Sequence, residues 1–315
     1  MLELATDRRV ITDLLIGIAL TLSLFATIIA IPVLGLAIGI LTPLPISFYF
    51  RKLGRMYGSL MLGVVLAVVI AMAGIEAGAL FLAEFAVMGI ALSETVRMRL
   101  PIGKGVLLSA MAPLVGSILL LAAVSFSVDK GLPEIIDSHI RQNVKETTEA
   151  YKKIGLSEEQ VSDLTGVVEK LETIILKTFP SLVFIGIVSV ALLNLLALKG
   201  ILKKKGIEEY PVDPTVWRTP EYLVWVLIAG GGLLLLEDKL AGTIGLNLLI
   251  ISGGIYLFQG MAIVAFYFNK LKTPLFLRTV GYSLILFQQI FTILVVGFGL
   301  FDLWFDFRRL KQKEA

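Results

Sequence analysis

Long apolar runs alternate with short polar breaks along almost the whole chain. A helix needs about 20 apolar residues to cross the hydrocarbon core of a bilayer, and many of these runs reach or approach that length. Transmembrane β-strands would instead produce short segments of alternating hydrophobicity. The spans that the pattern predicts are 10–31, 33–50, 57–73, 76–95, 105–128, 173–198, 220–237, 240–268 and 275–305. Pro43 and Pro45 are expected to interrupt the second of them.

One sizeable polar segment, residues 129–172, separates the fifth expected span from the sixth. Apolar residues recur in it at three-to-four-residue spacing on both sides of Gly155, which is typical of two amphipathic helices. Ser157 and Gln160 have the spacing of a capping box that starts the second helix. We therefore expect a helical hairpin that continues into the next span. Its two apolar stripes either pack on each other or dock a partner.

Composition favours an all-α, polytopic transmembrane helix bundle. Of 315 residues, 57% are hydrophobic and 17% are charged, whereas about 25% are charged in soluble domains. The chain has no cysteine and one histidine, His139, so we expect no disulfide, no metal site and no cofactor. The sequence lacks P-loop, G-x-S-x-G and H-E-x-x-H motifs, which indicates neither an enzyme nor an ATPase. The small net charge of +3 gives no indication of nucleic-acid binding.

Basic residues indicate the orientation of the bundle, because cytoplasmic loops carry an excess of lysine and arginine. With a cytoplasmic N-terminus, the basic clusters that become cytoplasmic are Arg8–Arg9, Arg51–Arg55, Arg97–Lys104, Lys199–Lys205, Arg218 and Lys270–Arg278. The segment 129–172 is then extracytoplasmic. A ninth crossing would place Arg308 and Arg309 outside, against the rule. Either that tail is external or one expected span is re-entrant, so the expected count is eight or nine spans.

The expected organisation has three parts. Residues 1–128 form an N-terminal transmembrane bundle of about five spans. Residues 129–172 form the extracytoplasmic hairpin, and residues 173–315 form a C-terminal bundle of three or four spans.

Two carboxylates, Glu76 and Glu84, lie in the apolar stretch between Gly74 and Phe85. Glu84 is near the centre of the fourth expected span, where a carboxylate costs about 3 kcal/mol on insertion scales. Glu76 is a little over two helical turns earlier and lies on a similar face. One hypothesis is a cavity open to the outside, in which Glu84 binds a cationic or hydrogen-bonding solute or carries a proton. The alternative is a structural, protonated Glu84 and a solvated Glu76.

Amide side chains inside the expected spans are further candidates for contact with a solute. The amides at membrane depth, which are hypothesised to line one cavity together with Glu84, are Asn194, Asn247, Gln259, Gln288 and Gln289. Asn247 and Gln259 are the candidate site residues among them. Each amide alone also fits a hydrogen bond between two helices.

Small residues four positions apart form the pairs Ala26–Ala30 and Gly35–Gly39. Such pairs let helix backbones approach closely in lipid. They serve either packing within the bundle or docking to another membrane subunit.

Two local patterns near the C-terminus predict helix-end chemistry. Thr219 is expected to cap a helix that has Pro220 at its first position. The charged residues at the end of the last expected span, which are expected to form local helix pairs, are Asp302, Asp306, Arg308 and Arg309.

The C-terminal half resembles the YybS-like family of bacterial membrane proteins, a domain of unknown function. The resemblance lies in Trp217-Arg218-Thr219-Pro220, Gly245-Leu246-Asn247, Gln259-Gly260 and Asp302-Leu303-Trp304-Phe305-Asp306-Phe307-Arg308. It implies a multi-pass protein of the bacterial cytoplasmic (inner) membrane, surrounded by the lipid bilayer.

The N-terminal part, over about the first 130 residues, is similar in layout to substrate-binding subunits of energy-coupling-factor vitamin transporters and to the cell-shape protein MreD. The resemblance lies in Leu44-Pro45 and in the basic, glycine-containing run from Phe50 to Gly58. In the vitamin subunits, alanines four apart on the first helix dock an energising subunit, and Ala26 and Ala30 have that spacing. The resemblance implies an energising membrane-protein partner.

Two functions are compatible with the sequence. The first is binding or transport of a small solute through the N-terminal bundle, with a separate energising partner. The second is a non-catalytic scaffold that holds other envelope proteins through the bundle and the hairpin.

Overall fold

Nearly all of the described chain is helical. The computed structural model describes residues 2–31, 38–128, 158–207 and 213–310, together with the isolated positions 35, 131, 134, 138 and 142. The α-helices are α1 (Leu2–Ala30), α2 (Pro43–Leu80), α3 (Val87–Arg97), α4 (Ile102–Val128), α5 (Glu158–Lys205), α6 (Leu223–Leu234), α7 (Lys239–Lys270), α8 (Leu275–Phe287) and α9 (Gln289–Phe305). A π-helical turn, Phe81–Ala86, joins α2 to α3, and 3₁₀ turns at Gly39–Leu41 and Pro214–Val216 precede α2 and α6. The expected all-α membrane fold class is confirmed.

The chain divides into two compact units. The first contains Met1–Asp129 and Gly186–Val212, and the second contains Lys130–Ile185 and Asp213–Ala315. Helix α5 is 48 residues long, contains Pro180, and contributes residues to both units. The boundary expected at 172/173 therefore lies inside one helix, and the second arm of the expected hairpin is the beginning of α5. The first arm, residues 133–155, lies outside the described residues apart from isolated positions.

Two glycines divide α2 into three segments, 43–53, 55–73 and 75–80. Gly54 has φ 82° and ψ 174°, and Gly74 has φ 87° and ψ 172°, a backbone region that is essentially restricted to glycine. A Cβ atom built on Gly58 would lie 2.5 Å from the ring of Phe50, and one on Gly78 would lie 3.5 Å from Leu66. These contacts across each break show that the chain doubles back at Gly54 and again at Gly74.

The number of long helices is smaller than the expected number of spans. Among the described residues, five helices are long and apolar enough to cross a membrane, or six if the bent pair α8–α9 is one span. One of the five is the 59-residue stretch Gly39–Arg97, which contains both glycine breaks. The expected spans 57–73 and 76–95 therefore correspond to its two longer antiparallel parts, joined at Gly74.

Two of the expected spans need correction, and a third is divided near its prolines. In the described part of 33–50, Gly35 and Ile38 are helical, Gly39–Leu41 form a 3₁₀ turn, and α2 begins at Pro43, because a proline has no N–H to lose at the first helical position. Pro43 and Pro45 thus begin a new helical segment within this span. The expected span 220–237 is the 12-residue α6, and 275–305 is broken at Gln288 with a bend of 98°. About 20 residues are needed to cross a bilayer, and α6 is shorter than that.

The core of the first unit joins α1, α2 and the π-helical turn. Phe25 of α1 is 7% exposed and contacts the fully buried Phe81 edge-on, with ring centroids 5.2 Å apart. Ile46, Val65 and Val69 of α2 pack in the same cluster. A glycine lets α1 approach α2 closely, since a Cβ atom on Gly17 would lie 2.5 Å from Met61.

Helices α6, α7 and α9 of the second unit pack through glycines. A Cβ atom on Gly230 would lie 3.1 Å from the carbonyl oxygen of Gly245, and one on Gly245 would lie 2.7 Å from that of Gly230. A Cβ atom on Gly299 would overlap the carbonyl oxygen of Tyr256, and one on Gly260 would overlap that of Val295. Because side chains are absent at these points, the backbones of α6 and α9 approach α7 directly.

Candidate functional site

Glu84 lies in the π-helical turn Phe81–Ala86, in the middle of the stretch between Gly74 and Arg97. Its side chain is half-buried and accepts a hydrogen bond from the hydroxyl group of Ser117 in α4. The same hydroxyl also lies 2.7 Å from the carbonyl oxygen of Pro113. π-Helical turns are rare and are often found at functional sites. No lysine or arginine forms an ion pair with Glu84 among the described residues.

A close contact between α4 and the π-helical turn brings Ser117 to Glu84. A Cβ atom on Gly116 would lie 3.0 Å from the carbonyl oxygen of Ala83. The absence of a side chain at Gly116 therefore allows α4 to approach the turn, and the next residue reaches the carboxylate. Sequence reasoning missed Ser117. A hydroxyl group four residues after Pro113 in an apolar helix was the available signal.

Aromatic rings flank Glu84 along the chain and across the bundle. Phe81 and Phe85 each contact Phe25, with centroid distances of 5.2 and 5.8 Å. A carboxylate beside aromatic rings is a surrounding suited to a cationic group.

The structure separates Glu76 from this arrangement. Glu76 is exposed and lies two residues after the break at Gly74, near the point where the two antiparallel segments 55–73 and 75–97 join. Glu84 and Glu76 therefore have different surroundings, one half-buried and one exposed.

Gln259 is fully buried in α7, where it joins three segments of the second unit. Its Oε1 atom accepts hydrogen bonds from the backbone N–H of Thr219, at 2.9 Å, and from the Thr219 hydroxyl. Its Nε2 atom donates to Asp302 Oδ2 at 3.1 Å. Thr219 was expected to cap a helix, and this is wrong: α6 begins at Leu223 without a side-chain cap, because Thr219 bonds Gln259 instead.

Asp302 and Arg308 extend this polar cluster. Arg308 Nη2 lies 2.7 Å from Asp302 Oδ2, and both side chains are fully buried. Arg308 Nη1 donates to the carbonyl oxygens of Thr215 and Trp217 at 2.7 and 2.9 Å. The expected local helix pairs are wrong here. Helix α9 ends at Phe305, the next residue is left-handed, and the following arginine folds back.

Asn247 of α7 joins two backbone groups of α5. Its Oδ1 atom accepts from the N–H of Ser181 at 3.0 Å, and its Nδ2 atom donates to the carbonyl oxygens of Lys177 and Thr243 at 2.7 and 2.8 Å. Ser181 N–H and Lys177 C=O would bond each other in an uninterrupted helix. Pro180 lies between them, so the amide of Asn247 satisfies both groups where a proline disturbs the helix.

Asn194 and the small-residue pairs all lie in the first unit. Asn194 is buried and donates to the carbonyl oxygens of Ile40 and Val190 at 2.9 and 2.8 Å. Gly35 and Gly39 are buried against the backbone and side chain of Ile28 in α1. Ala26 and Ala30 are exposed on the surface of α1.

The structure thus places the sequence-predicted residues in separate surroundings. Glu84 belongs to the first unit, and Asn247 and Gln259 belong to the second, where protein partners take up their amide groups. Within the described residues, no group of three or more histidine or acidic side chains is placed to hold a metal ion.

Comparison with known proteins gives one match. A family model described as "Predicted membrane protein (DUF2232)" matches residues 19–303. No curated protein and no solved structure matches this chain.

Proposed function

This chain belongs to the DUF2232 family of membrane proteins, and we propose that it binds and transports a small solute through its first unit, with Glu84 as the solute or proton site. The observation that carries the proposal is the half-buried carboxylate of Glu84 in a π-helical turn, with a serine hydroxyl as its hydrogen-bond donor and no basic partner among the described residues. Ionisable residues inside membrane spans are costly and are concentrated at transport and proton pathways.

The chemistry around Glu84 favours a cationic or hydrogen-bond-donating solute. The carboxylate provides an acceptor, Ser117 is a second polar group, and Phe25, Phe81 and Phe85 provide aromatic surfaces. Protonation of Glu84 would release a bound cation, which is the means by which a carboxylate couples a solute to a proton. Asn247 and Gln259 are left out of this site, because their amides already bond protein groups.

An energising membrane subunit is part of the proposal. The sequence contains no nucleotide-binding motif, and the chain is proposed to have no enzyme activity of its own. Ala26 and Ala30 form an exposed small-residue surface on α1, and such surfaces let another helix approach closely.

The proposed location is the bacterial cytoplasmic membrane, with a cytoplasmic N-terminus. The support for this orientation is the clustering of lysine and arginine in alternate loops.

Native mass spectrometry of the protein, extracted gently from its own membrane, tests the proposal. We expect a reproducible small adduct that is lost in Glu84→Gln and weakened in Ser117→Ala. The matched control is Glu76→Gln, which changes an exposed carboxylate in the same segment after Gly74 and should retain the adduct.

Two results would overturn the proposal. One is an adduct that Glu84→Gln retains in a normally folded protein. The other is a co-purifying protein with no adduct in any variant, which is the outcome expected of a non-catalytic scaffold.

A further inference from the structure

The two ends of the α8–α9 pair both contact the last turn of α7. At the beginning of α8, the guanidinium group of Arg278 donates to Asn269 Oδ1 at 2.7 Å and to the carbonyl oxygen of Phe268 at 3.0 Å. After the end of α9, the carbonyl oxygen of Phe307 accepts a hydrogen bond of 2.8 Å from the hydroxyl of Tyr267. The chain therefore leaves the end of α7 and returns to it.

Charged groups of the second unit gather at this end of α7. They come from the α7–α8 turn and from the residues after α9, and they include Lys270, Lys272, Arg278 and Arg309. Arg218, from the segment before α6, pairs with Asp306, the residue before Phe307. Aromatic residues that are typical of a membrane interface, Tyr222, Trp225 and Trp304, are exposed close to these charges in the chain.

The pair is apolar over a long stretch between these two ends. Residues 279–301 carry no charge, and the bend of 98° lies near their middle, at Gln288. At 1.5 Å per residue, the helical path from Arg278 to Gln288 is roughly 15 Å, and from Gln288 to Asp302 roughly 21 Å. The hydrocarbon core is about 30 Å thick. These path lengths are the greatest depths that the two arms can reach, and half of the hydrocarbon core is about 15 Å thick, so arms of this length suffice to place the break within the apolar layer.

Within the described part of the chain, the break leaves polar groups without protein partners. Gln288 is in an extended conformation, and the side chains of Gln288 and Gln289 are exposed. The N–H of Gln288 donates to the carbonyl oxygen of Leu284, and the hydroxyl of Thr292 donates to the carbonyl oxygen of Ile285. Among the described residues, no hydrogen bond joins the N–H groups of Gln289 and Ile290 to a protein acceptor. In hydrocarbon, each such group costs several kcal/mol, and non-helical backbone at this depth requires protein or water around it.

We propose that α8–α9 is a re-entrant helical pair and that its turn at Gln288–Gln289 lines a water-filled depression in the second unit. The turn offers amide side chains and free backbone N–H groups, which suit water and small uncharged or anionic polar solutes. The residues after α9 lie on the same side of the membrane as the α7–α8 turn. This assignment goes beyond the solute site proposed at Glu84 and does not depend on it.

Cysteine labelling tests this topology directly, because the natural chain contains no cysteine. Four single variants report on the pair: Lys272→Cys in the α7–α8 turn, Gln288→Cys at the break, Arg309→Cys after α9, and Glu237→Cys in the α6–α7 turn. All four positions are exposed. The probe is a membrane-impermeant maleimide, applied to sealed vesicles of both orientations. Ile293→Cys, exposed on the apolar surface of α9 and one turn from the break, is the matched control for a lipid-facing position.

We expect Lys272→Cys and Arg309→Cys to be labelled from one side and Glu237→Cys from the other. Gln288→Cys should be labelled at least tenfold faster than Ile293→Cys. Labelling of Arg309→Cys from the Glu237 side would overturn the re-entrant pair. Equal protection of Gln288→Cys and Ile293→Cys, in protein that labels fully after solubilisation, would overturn the aqueous depression.

Discussion

Asp302 and Arg308 form an ion pair of 2.7 Å in which both side chains are fully buried. The two residues are close in sequence, but α9 ends between them, and the left-handed conformation of Asp306 turns the chain back. The ion pair therefore closes the C-terminal end of the second unit against the segment that precedes α6. Gln259, Thr215 and Trp217 supply the neutral groups that bond the two charges.

Removal of one partner of this pair should destabilise the second unit strongly. Asp302→Asn or Arg308→Gln is expected to lower the free energy of unfolding by about 3–5 kcal/mol, because it leaves a buried charge uncompensated. The double variant Asp302→Leu/Arg308→Met should lose less free energy of unfolding than the two single variants lose together. Denaturant titration in mixed micelles measures these values. Single variants with effects below 1 kcal/mol would contradict the buried geometry.

The ion pairs of Glu94 should behave differently. Arg55 contacts both carboxylate oxygens of Glu94, at 3.0 and 2.9 Å, but the arginine side chain is 65% exposed. Exposed pairs contribute about 0–1 kcal/mol. Glu94→Gln is therefore expected to have a small effect that decreases further at 1 M salt, whereas the effect of Asp302→Asn should be insensitive to salt. Unfolding in low and high salt distinguishes the two.

The effect of Asn247 should depend on Pro180. Asn247→Ala removes the bonds to Ser181 and Lys177 and is expected to cost about 1–3 kcal/mol, chiefly because it leaves the N–H of the buried Ser181 without its acceptor. In a Pro180→Ala background, those two groups can bond each other, so the cost should fall. A double-mutant cycle on unfolding free energies gives the coupling. Equal costs in both backgrounds would show that the amide does not substitute for the helical bond.

Two glycines of α9 should respond in opposite directions to the same substitution. A Cβ atom at Gly299 overlaps the carbonyl oxygen of Tyr256, whereas at Gly297 it meets nothing within 4 Å. Gly297→Ala should stabilise the protein by up to about 1 kcal/mol through helix propensity. Gly299→Ala should destabilise it, because α9 must move away from α7. Thermal unfolding of the two variants checks the signs, and a stabilising Gly299→Ala would contradict the close packing.

The helical membrane class could be predicted from sequence because it depends only on the length and composition of apolar runs. Two expected spans, 57–73 and 76–95, have counterparts in the structure for the same reason. The bend at Gln288 was not predicted, because apolar composition continues through it on both sides. Glu84 and Gln259 could be recognised from sequence as polar residues within apolar spans, but their hydrogen-bond partners could not be predicted.

The hydrogen-bond partners of these residues could not be predicted from sequence where two helices must approach each other to form the contact. Ser117 reaches Glu84 because Gly116 lets α4 approach the π-helical turn, and neither event has a local signature. Thr219 has the sequence context of a helix cap, but its N–H and its hydroxyl both donate to Gln259 Oε1 on another helix. The charged residues from Asp302 to Arg309 were expected to pair along a continuing helix, but the left-handed Asp306 ends the helical path before Arg308.

The breaks at Gly54 and Gly74 each require a backbone conformation that an L-residue rarely adopts. Both have φ above +80° and ψ near 180°, and a Cβ atom at either position meets nothing within 4 Å. The mirror image of that conformation is the ordinary extended region of an L-residue. A D-alanine introduced by chemical ligation at Gly54 or Gly74 should therefore fit without strain and rigidify the turn, whereas L-alanine should strain it. At these two positions the fold requires a stereochemistry, not a small residue.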